Sequence, residues 1–380
     1  MSADATENAQ NRIRGLFAER PQLRAVRDRL AGRGGHLVGG AVRDLLLGIE
    51  PSELDIAIEG DAVELARELD PEAVVHQRFG TASLVLSGVP VDLARTRTET
   101  YSRSGALPDV TPATIAEDLA RRDFSVNAMA VSLEAELLLR DPFEGAGELA
   151  SRTLRALHGR SLADDPTRAL RAARYSARLG FAIEPLTLEQ IRNAPIDTVS
   201  STRIGNELGR TAVEDDPSRA FALLEEWGLA WRDGDSGLVA ELVHLCGEDG
   251  WAHVDRADAV LAAAQIHCGA YQPNPRPLER ARRLAATEAS TPAQAFSAAA
   301  EASDEELVLA QALGAAWVDR YVQEWRRVEV EIAGSDLIAA GVPPGPAVGS
   351  GLEAALEAKL AGIADTREAQ LRIALAAARG

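Results

Sequence analysis

The sequence predicts an α+β protein in which a small mixed sheet near the N-terminus is followed by an all-helical remainder. Apolar and polar residues alternate through Leu54–Ile58, Ser83–Leu86 and Val91–Ala94, the two-residue period of half-buried strands. From about Leu154 onward that alternation nearly vanishes, and Ala, Leu, Arg and Glu recur at helical spacing. The length of 380 residues allows two or more packed modules, because single domains usually hold about 100–200 residues.

In chain order, Leu37 and Val38 end a strand, Gly39 and Gly40 turn it, and Val42, Leu45 and Leu46 mark a helix that Gly48 stops. Val63, Leu65, Ala66 and Leu69 mark a second helix between strands. Glu117 to Asn127 reads as a helix end leading into a further strand. Within the helical part, Gly234-Asp235-Ser236-Gly237, the stretch from Gln272 to Pro277, and Pro343-Pro344-Gly345-Pro346 interrupt the pattern. The expected modules are residues 1–150, holding the sheet and an N-terminal helix, then 151–233 and 234–380.

Composition removes several classes of function. Cys246 and Cys268 are too few for a disulfide framework and lack paired zinc spacing, so no disulfides and a reducing, cytoplasmic setting are expected. The first fourteen residues are polar and mixed in charge, unlike a signal peptide, and no later stretch is apolar for long enough to span a membrane. A formal net charge of −18 opposes binding to a polyanion. The arginines nevertheless concentrate between Arg152 and Arg178, which predicts one basic face on an acidic body.

Four constellations carry chemistry. In the first, Gly39 and Gly40 allow close backbone approach, the following helix offers unpaired N–H groups, and Arg43 can clamp a triphosphate. An ordinary tight turn fits the glycines equally well. In the second, Glu53 and Asp55 share a strand face and Asp92 joins them from a neighbouring strand. Three carboxylates can hold two Mg²⁺ ions, one activating a 3′-hydroxyl and one steadying the triphosphate, although a solvated acidic strand face is the plainer alternative.

The third constellation is Arg121-Arg122-Asp123-Phe124 with Asn127, where an arginine can reach phosphate and Asp123 can accept from a ribose hydroxyl. A helix-terminal cap is the plainer reading. The fourth is Asp164-Asp165-Pro166-Thr167-Arg168, continuing through Arg171, Arg174 and Arg178 on one helix. Asp165 is also well placed to cap that helix.

Together and in this order, the four sets resemble the class II tRNA nucleotidyltransferase and bacterial poly(A) polymerase family. The similarity extends to His76, Phe79-Gly80-Thr81-Ala82, Asp141-Pro142-Phe143 and Arg203-Ile204, and so to most of the chain. The resemblance implies a nucleotidyltransferase head, then a helical neck, body and tail that grip the tRNA acceptor end. It implies template-independent, Mg²⁺-dependent addition of C and/or A to the tRNA 3′ end from CTP and ATP. Glu53, Asp55 and Asp92 are then the catalytic, metal-holding carboxylates. Gly39, Gly40, Arg43, Arg122, Asp123, Asn127, Asp165, Arg168, Arg171 and Arg174 are the expected nucleotide contacts.

Base choice follows from hydrogen-bond chemistry once Asp165 and Arg168 are taken as the reading pair. Cytosine and adenine each present an amino donor beside a ring-nitrogen acceptor, matching a carboxylate and a guanidinium. Uracil and guanine present the reverse pattern and would leave buried polar groups unpaired. The polar, turn-rich segment Thr100 to Val110 is expected to act as a mobile lever on this pair. Glu53 stands where the family usually has aspartate, Asp164 where it has glutamate, and Thr202 where a glutamate commonly precedes Arg203. Addition of only A, addition of only CC, poly(A) synthesis and a catalytically weak RNA-binding homologue stay open at this stage.

Overall fold

The computed structural model describes residues 2–77 and 80–379, so Phe79 of the motif above lies outside the described residues. The chain divides into two compact units: Met1–Leu208 with Arg219–Trp231 and Cys268–Tyr271, and Gly209–Ser218 with Arg232–His267 and Gln272–Gly380. The first unit begins with helices α1 (Ser2–Glu19) and α2 (Pro21–Leu30). Its strands are β1 (Gly35–Val38), β2 (Leu54–Ile58), β3 (Val74–His76), β4 (Thr81–Leu86), β5 (Val89–Arg95), β6 (Arg97–Thr100), β7 (Asp109–Pro112), β8 (Ala130–Ser132) and β9 (Leu139–Arg140). Seven of them form a sheet in the order β3-β4-β5-β2-β1-β8-β9. It is mixed, as the alternation predicts: β2 runs parallel to β5 and the other pairs are antiparallel.

The two-residue period of β2 sorts its side chains. Leu54, Ile56 and Ile58 are buried, and so is Ala57 on the opposite face, where Val38, Ala130 and the helix residues Ile115 and Leu119 cover it. Asp55 shares that second face with Ala57 but lies toward the other end of the strand, where it is only half-buried. One strand therefore anchors the core and presents a carboxylate. At the far edge, the Gln10 side chain donates to the Leu137 carbonyl at 2.7 Å and accepts from the Leu139 N–H at 2.6 Å, which occupies backbone groups that an edge strand would otherwise leave open.

Helix α3 (Gly40–Leu47) follows β1 and ends at Gly48, whose φ of +81° is the left-handed cap expected there. Helix α4 (Ala62–Leu69) is capped by Asp61, which accepts from the N–H groups of Val63 and Glu64 at 3.0 Å each. Helix α5 (Ile115–Ala120) carries a capping box between Thr114 and Glu117. The lever segment is more ordered at its ends than its polarity implied. Thr100 pairs with Asp109 and Arg97 with Pro112 across the β6–β7 hairpin, leaving residues 101–108 as the connection.

Helices α6 (Gly145–Ser151), α7 (Ser161–Asp164) and α8 (Thr167–Leu179) follow, and later strands are only two or three residues long among the described residues. The second unit is helical apart from such short pieces, and its C-terminal helices enclose a core of Ile332, Leu337, Val342, Ala355 and Ala374. Among the described residues no helix is long and apolar enough to cross a membrane, and Cys246 and Cys268 are free thiols.

Candidate active site

Asp55 and Asp92 are register partners across β2 and β5, and Glu53 lies just before β2. One carboxylate oxygen from each of the three falls within 4.8 Å of the others, so the predicted cluster is assembled. Burial pushes Asp55 up to about 6; Arg122 opposes the rise, and Glu53 and Asp92 add to it. Hard oxygen donors that repel one another at this spacing fit a divalent cation such as Mg²⁺, whose charge would relieve the repulsion.

Beside the carboxylates opens a cavity of about 690 Å³. All ten nucleotide contacts named from the sequence line it, together with Glu53 and Asp55. Asp92 is not among its lining residues. Nine arginines and seven carboxylates face it, so an acidic protein holds a locally cationic pocket.

Local structure explains how each group arrives there. Gly39 has φ +66°, so the backbone favours glycine, and a Cβ at that position would lie 2.5 Å from Arg122 Nη1 and displace the end of that side chain. Arg43 is 2% exposed; it donates to Asp44 Oδ1 at 2.8 Å and to Asn127 Oδ1 at 2.6 Å. From the end of α5, buried Asp118 receives both Arg121 and Arg122, at 2.7 and 2.9 Å. Burial alone would raise its carboxyl, yet Arg122 and Arg121 hold it below its ordinary value.

Asp123 accepts from Asn127 Nδ2 at 3.0 Å, from the Phe124 N–H at 2.8 Å and from Arg171 Nε at 2.8 Å. Against the upward push of burial, Arg171, Asn127, Arg168 and the Phe124 N–H together keep it well below the usual carboxylate range. The cap reading of Asp165 is also realised. Its Oδ1 accepts from the Thr167 N–H at 3.1 Å, from the Thr167 hydroxyl at 2.7 Å and from Arg203 Nη2 at 2.8 Å. No hydrogen bond to its Oδ2 is formed among the described residues, and Asp165 lines the cavity. Arg168 donates Nη1 to Ser161 Oγ and Nη2 to the Arg121 carbonyl, each at 2.6 Å, which leaves three of its five N–H groups for a ligand.

The α8 arginines named as nucleotide contacts turn inward and line the pocket, while Arg178 at the end of the row stays exposed. Arg168 and Arg174 are 6% and 9% exposed, and Arg171, Arg174 and Arg178 pair with Asp123, Glu207 and Asp44 at 2.6, 3.4 and 3.3 Å. Sequence reasoning missed Asp44, Glu99, Tyr101, Tyr175 and Arg203 as site residues. Glu99, for example, receives Arg97 at 3.0 Å, Arg121 at 2.7 Å and the Tyr101 hydroxyl at 2.8 Å. An acidic residue inside a polar strand gave no signal of burial.

Residues 35–155 match the model of the poly A polymerase head domain. An A-adding tRNA nucleotidyltransferase of Geobacter sulfurreducens is 40% identical over 205 residues, covering 51% of this chain and 23% of that protein. A CC-adding tRNA nucleotidyltransferase of Deinococcus radiodurans is 40% identical over 222 residues, covering 55% and 59%. A CCA-adding enzyme solved in an apo form superposes with a TM-score of 0.73 at 28% identity, covering 96% of this chain and 98% of that one.

Residues 35–155 belong to the poly A polymerase head family, and the relatives and solved structures that match the chain are tRNA nucleotidyltransferases.

The Thermotoga maritima CCA-adding enzyme, solved in complex with tRNA, matches with a TM-score of 0.64 at 26% identity over 95% of this chain and 97% of that one. The chain spans between 23% and 48% of the length of the A-adding tRNA nucleotidyltransferases it matches. Departures from the tRNA nucleotidyltransferase pattern now have positions. Asp164 pairs with Arg160 Nη2 at 3.3 Å, and Thr202 is exposed on the helix Ser201–Ala212. Glu53 is exposed, and its longer side chain still brings a carboxylate oxygen within 4.8 Å of those of Asp55 and Asp92.

Proposed function

We propose that this protein adds C and/or A to the 3′ end of tRNA without a nucleic-acid template, taking the nucleotides from CTP and ATP. The observation that carries this reading is one cavity that joins a three-carboxylate cluster to a cationic wall and to the Asp165–Arg168 pair. Glu53, Asp55 and Asp92 would hold Mg²⁺, which when bound lowers the pKa of the attacking hydroxyl and neutralises the leaving group. Arg43, Arg122, Arg171 and Arg174 offer the triphosphate a set of donors, while buried Asp123 and Asn127 fix the geometry of Arg171 and Arg43. Asp165 Oδ2 accepts from an exocyclic amine and Arg168 donates to the adjacent ring nitrogen, which admits C and A and rejects U and G. Residues 1–150 act as head, 151–233 as neck, and 234–380 as the body and tail that hold tRNA.

Relatives of A-adding and CC-adding type match at equal identity, so the nucleotide added is read from the assay. Radiolabelled CTP or ATP with Mg²⁺ is supplied to tRNA transcripts ending before CCA, after CC, or complete. Incorporation on either incomplete transcript and little on the complete one supports the proposal, and the productive pair identifies the subtype. A protein that binds these tRNAs and labels none of them is a binder, and the proposal fails. Long homopolymeric tails of A on unrelated RNA would point to poly(A) synthesis instead.

A further inference from the structure

Tyr175 belongs to none of the groups that would hold metal, ribose or base, yet three guanidiniums of the cavity converge on its ring. The guanidinium carbons of Arg174, Arg43 and Arg171 lie 4.8, 5.2 and 5.7 Å from the ring centroid. The Tyr175 hydroxyl accepts from Arg171 Nη2 at 3.2 Å. Phe124, fully buried, meets the ring edge-on at 6.1 Å between centroids and 89° between planes, so the ring is fixed from behind.

Three cations gathered on one ring repel one another. Carboxylates relieve part of that repulsion: Asp44 for Arg43, Asp123 for Arg171 and Glu207 for Arg174. A further carboxylate in place of the ring would cancel the positive field and compete for the N–H groups that phosphate oxygens need. A π face attracts guanidinium without adding charge and without occupying its in-plane donors. The arginines are thereby held together without a further charged acceptor competing for their N–H groups.

We propose that Tyr175 is a positioning residue that holds Arg43, Arg171 and Arg174 as one subsite for the pyrophosphate portion of a nucleoside triphosphate and for inorganic pyrophosphate as the leaving group. This rests on reading the cavity as a nucleoside triphosphate site. The ring acts through its π face, and the hydroxyl contributes one bond to Arg171.

The test replaces Tyr175 by Phe and then by phenylalanines carrying one, two and three ring fluorines, which keep the shape while weakening the π face. Binding of inorganic pyrophosphate to the full chain is measured by calorimetry. Tyr175→Phe should bind within about threefold of wild type, and affinity should fall stepwise to about tenfold weaker at three fluorines, the range expected for partly desolvated cation–π contacts. KM for CTP or ATP should rise in parallel, with kcat and nucleotide-free tRNA affinity changing much less and thermal unfolding level across the series. A flat fluorination series overturns the proposal, and so does a Tyr175→Phe variant that loses as much as the trifluorinated one. Graded pyrophosphate binding in a protein that labels no tRNA would leave this subsite standing and remove the tRNA-directed activity; labelling with a flat series would do the opposite.

Discussion

Arg203 and Asp165 form an ion pair of 2.8 Å, and the same guanidinium donates to the carbonyls of Gly105 and Ala106 at 3.0 and 3.4 Å. The connection between β6 and β7 is therefore tied directly to one of the two groups proposed to read the base. Replacing Asp165 by Arg and Arg168 by Asp should shift preference from CTP or ATP toward UTP or GTP, because the donor and acceptor pattern is exchanged. The exchange alone sets a second guanidinium against that of Arg203, so Arg203→Gln must accompany it. Incorporation ratios for the four nucleotides check this, and an active triple variant with wild-type preference would show that Asp165 serves only the start of α8.

Removing a carboxylate of the proposed metal cluster should abolish turnover without loosening the RNA. Asp55→Ala and Asp92→Ala are each expected to lower incorporation by about a thousandfold or more, a loss of several kcal/mol of transition-state stabilisation. Their tRNA dissociation constants should stay within about twofold of wild type. Glu53→Asp should retain activity, because Glu53 is exposed and the cluster can close around a shorter side chain. Near-normal incorporation by Asp55→Ala would sink the assignment.

Gly39→Ala sets a methyl group 2.5 Å from Arg122 Nη1 at a residue whose φ is +66°. With ψ at −129° this residue lies outside the left-handed helical well, in a sparsely populated region that costs an L-residue about 1–3 kcal/mol. The variant should therefore unfold a few degrees earlier and bind CTP or ATP more weakly, because Arg122 must move. Calorimetric melting and nucleotide titration measure the two effects, and loss of stability with unchanged nucleotide affinity would separate Arg122 from the ligand.

Glu148 gives a pH test remote from the metal cluster. Burial pushes it up to about 7 although Arg155 pulls it down, and it is held by the Ser125 hydroxyl and the Arg155 guanidinium. A folded pKa above the unfolded one means that its stabilising contribution is complete below about pH 4.5 and is lost as pH rises through about 7. Glu148→Gln should therefore gain on wild type between pH 5 and pH 8. Melting temperatures of both proteins across that range would expose the difference, and a constant offset would contradict it.

What the sequence revealed and concealed has physical causes. Strand parity around Asp55 was legible because Leu54, Ile56 and Ile58 mark the core with a strict period, and the register with Asp92 follows from two such strands meeting. The inward turn of the α8 arginines was not legible, since their counter-ions come from far along the chain; Asp44 and Arg178 are 134 residues apart. The strand character at both ends of Thr100 to Val110 is hidden because the residues of β6 and β7 are polar and largely exposed, which leaves no alternation to detect. Tyr175 had no signature at all, because its role depends on arginines from both α3 and α8 meeting over it.

The pairing of the cavity arginines with Asp44, Asp123 and Glu207 bears on how quickly the site can let go. A polyanion leaving bare guanidiniums would abandon them in a poorly hydrated pocket, and departure would be slow. Here Arg43, Arg171, Arg174 and Arg178 each have a resident carboxylate to return to, so exit is an exchange of one anionic partner for another. A site that discharges pyrophosphate after each addition, as proposed here, gains speed from that arrangement, and mutation of those carboxylates to amides, which leaves the guanidiniums bare, should trap product and turn a turnover site into a storage site.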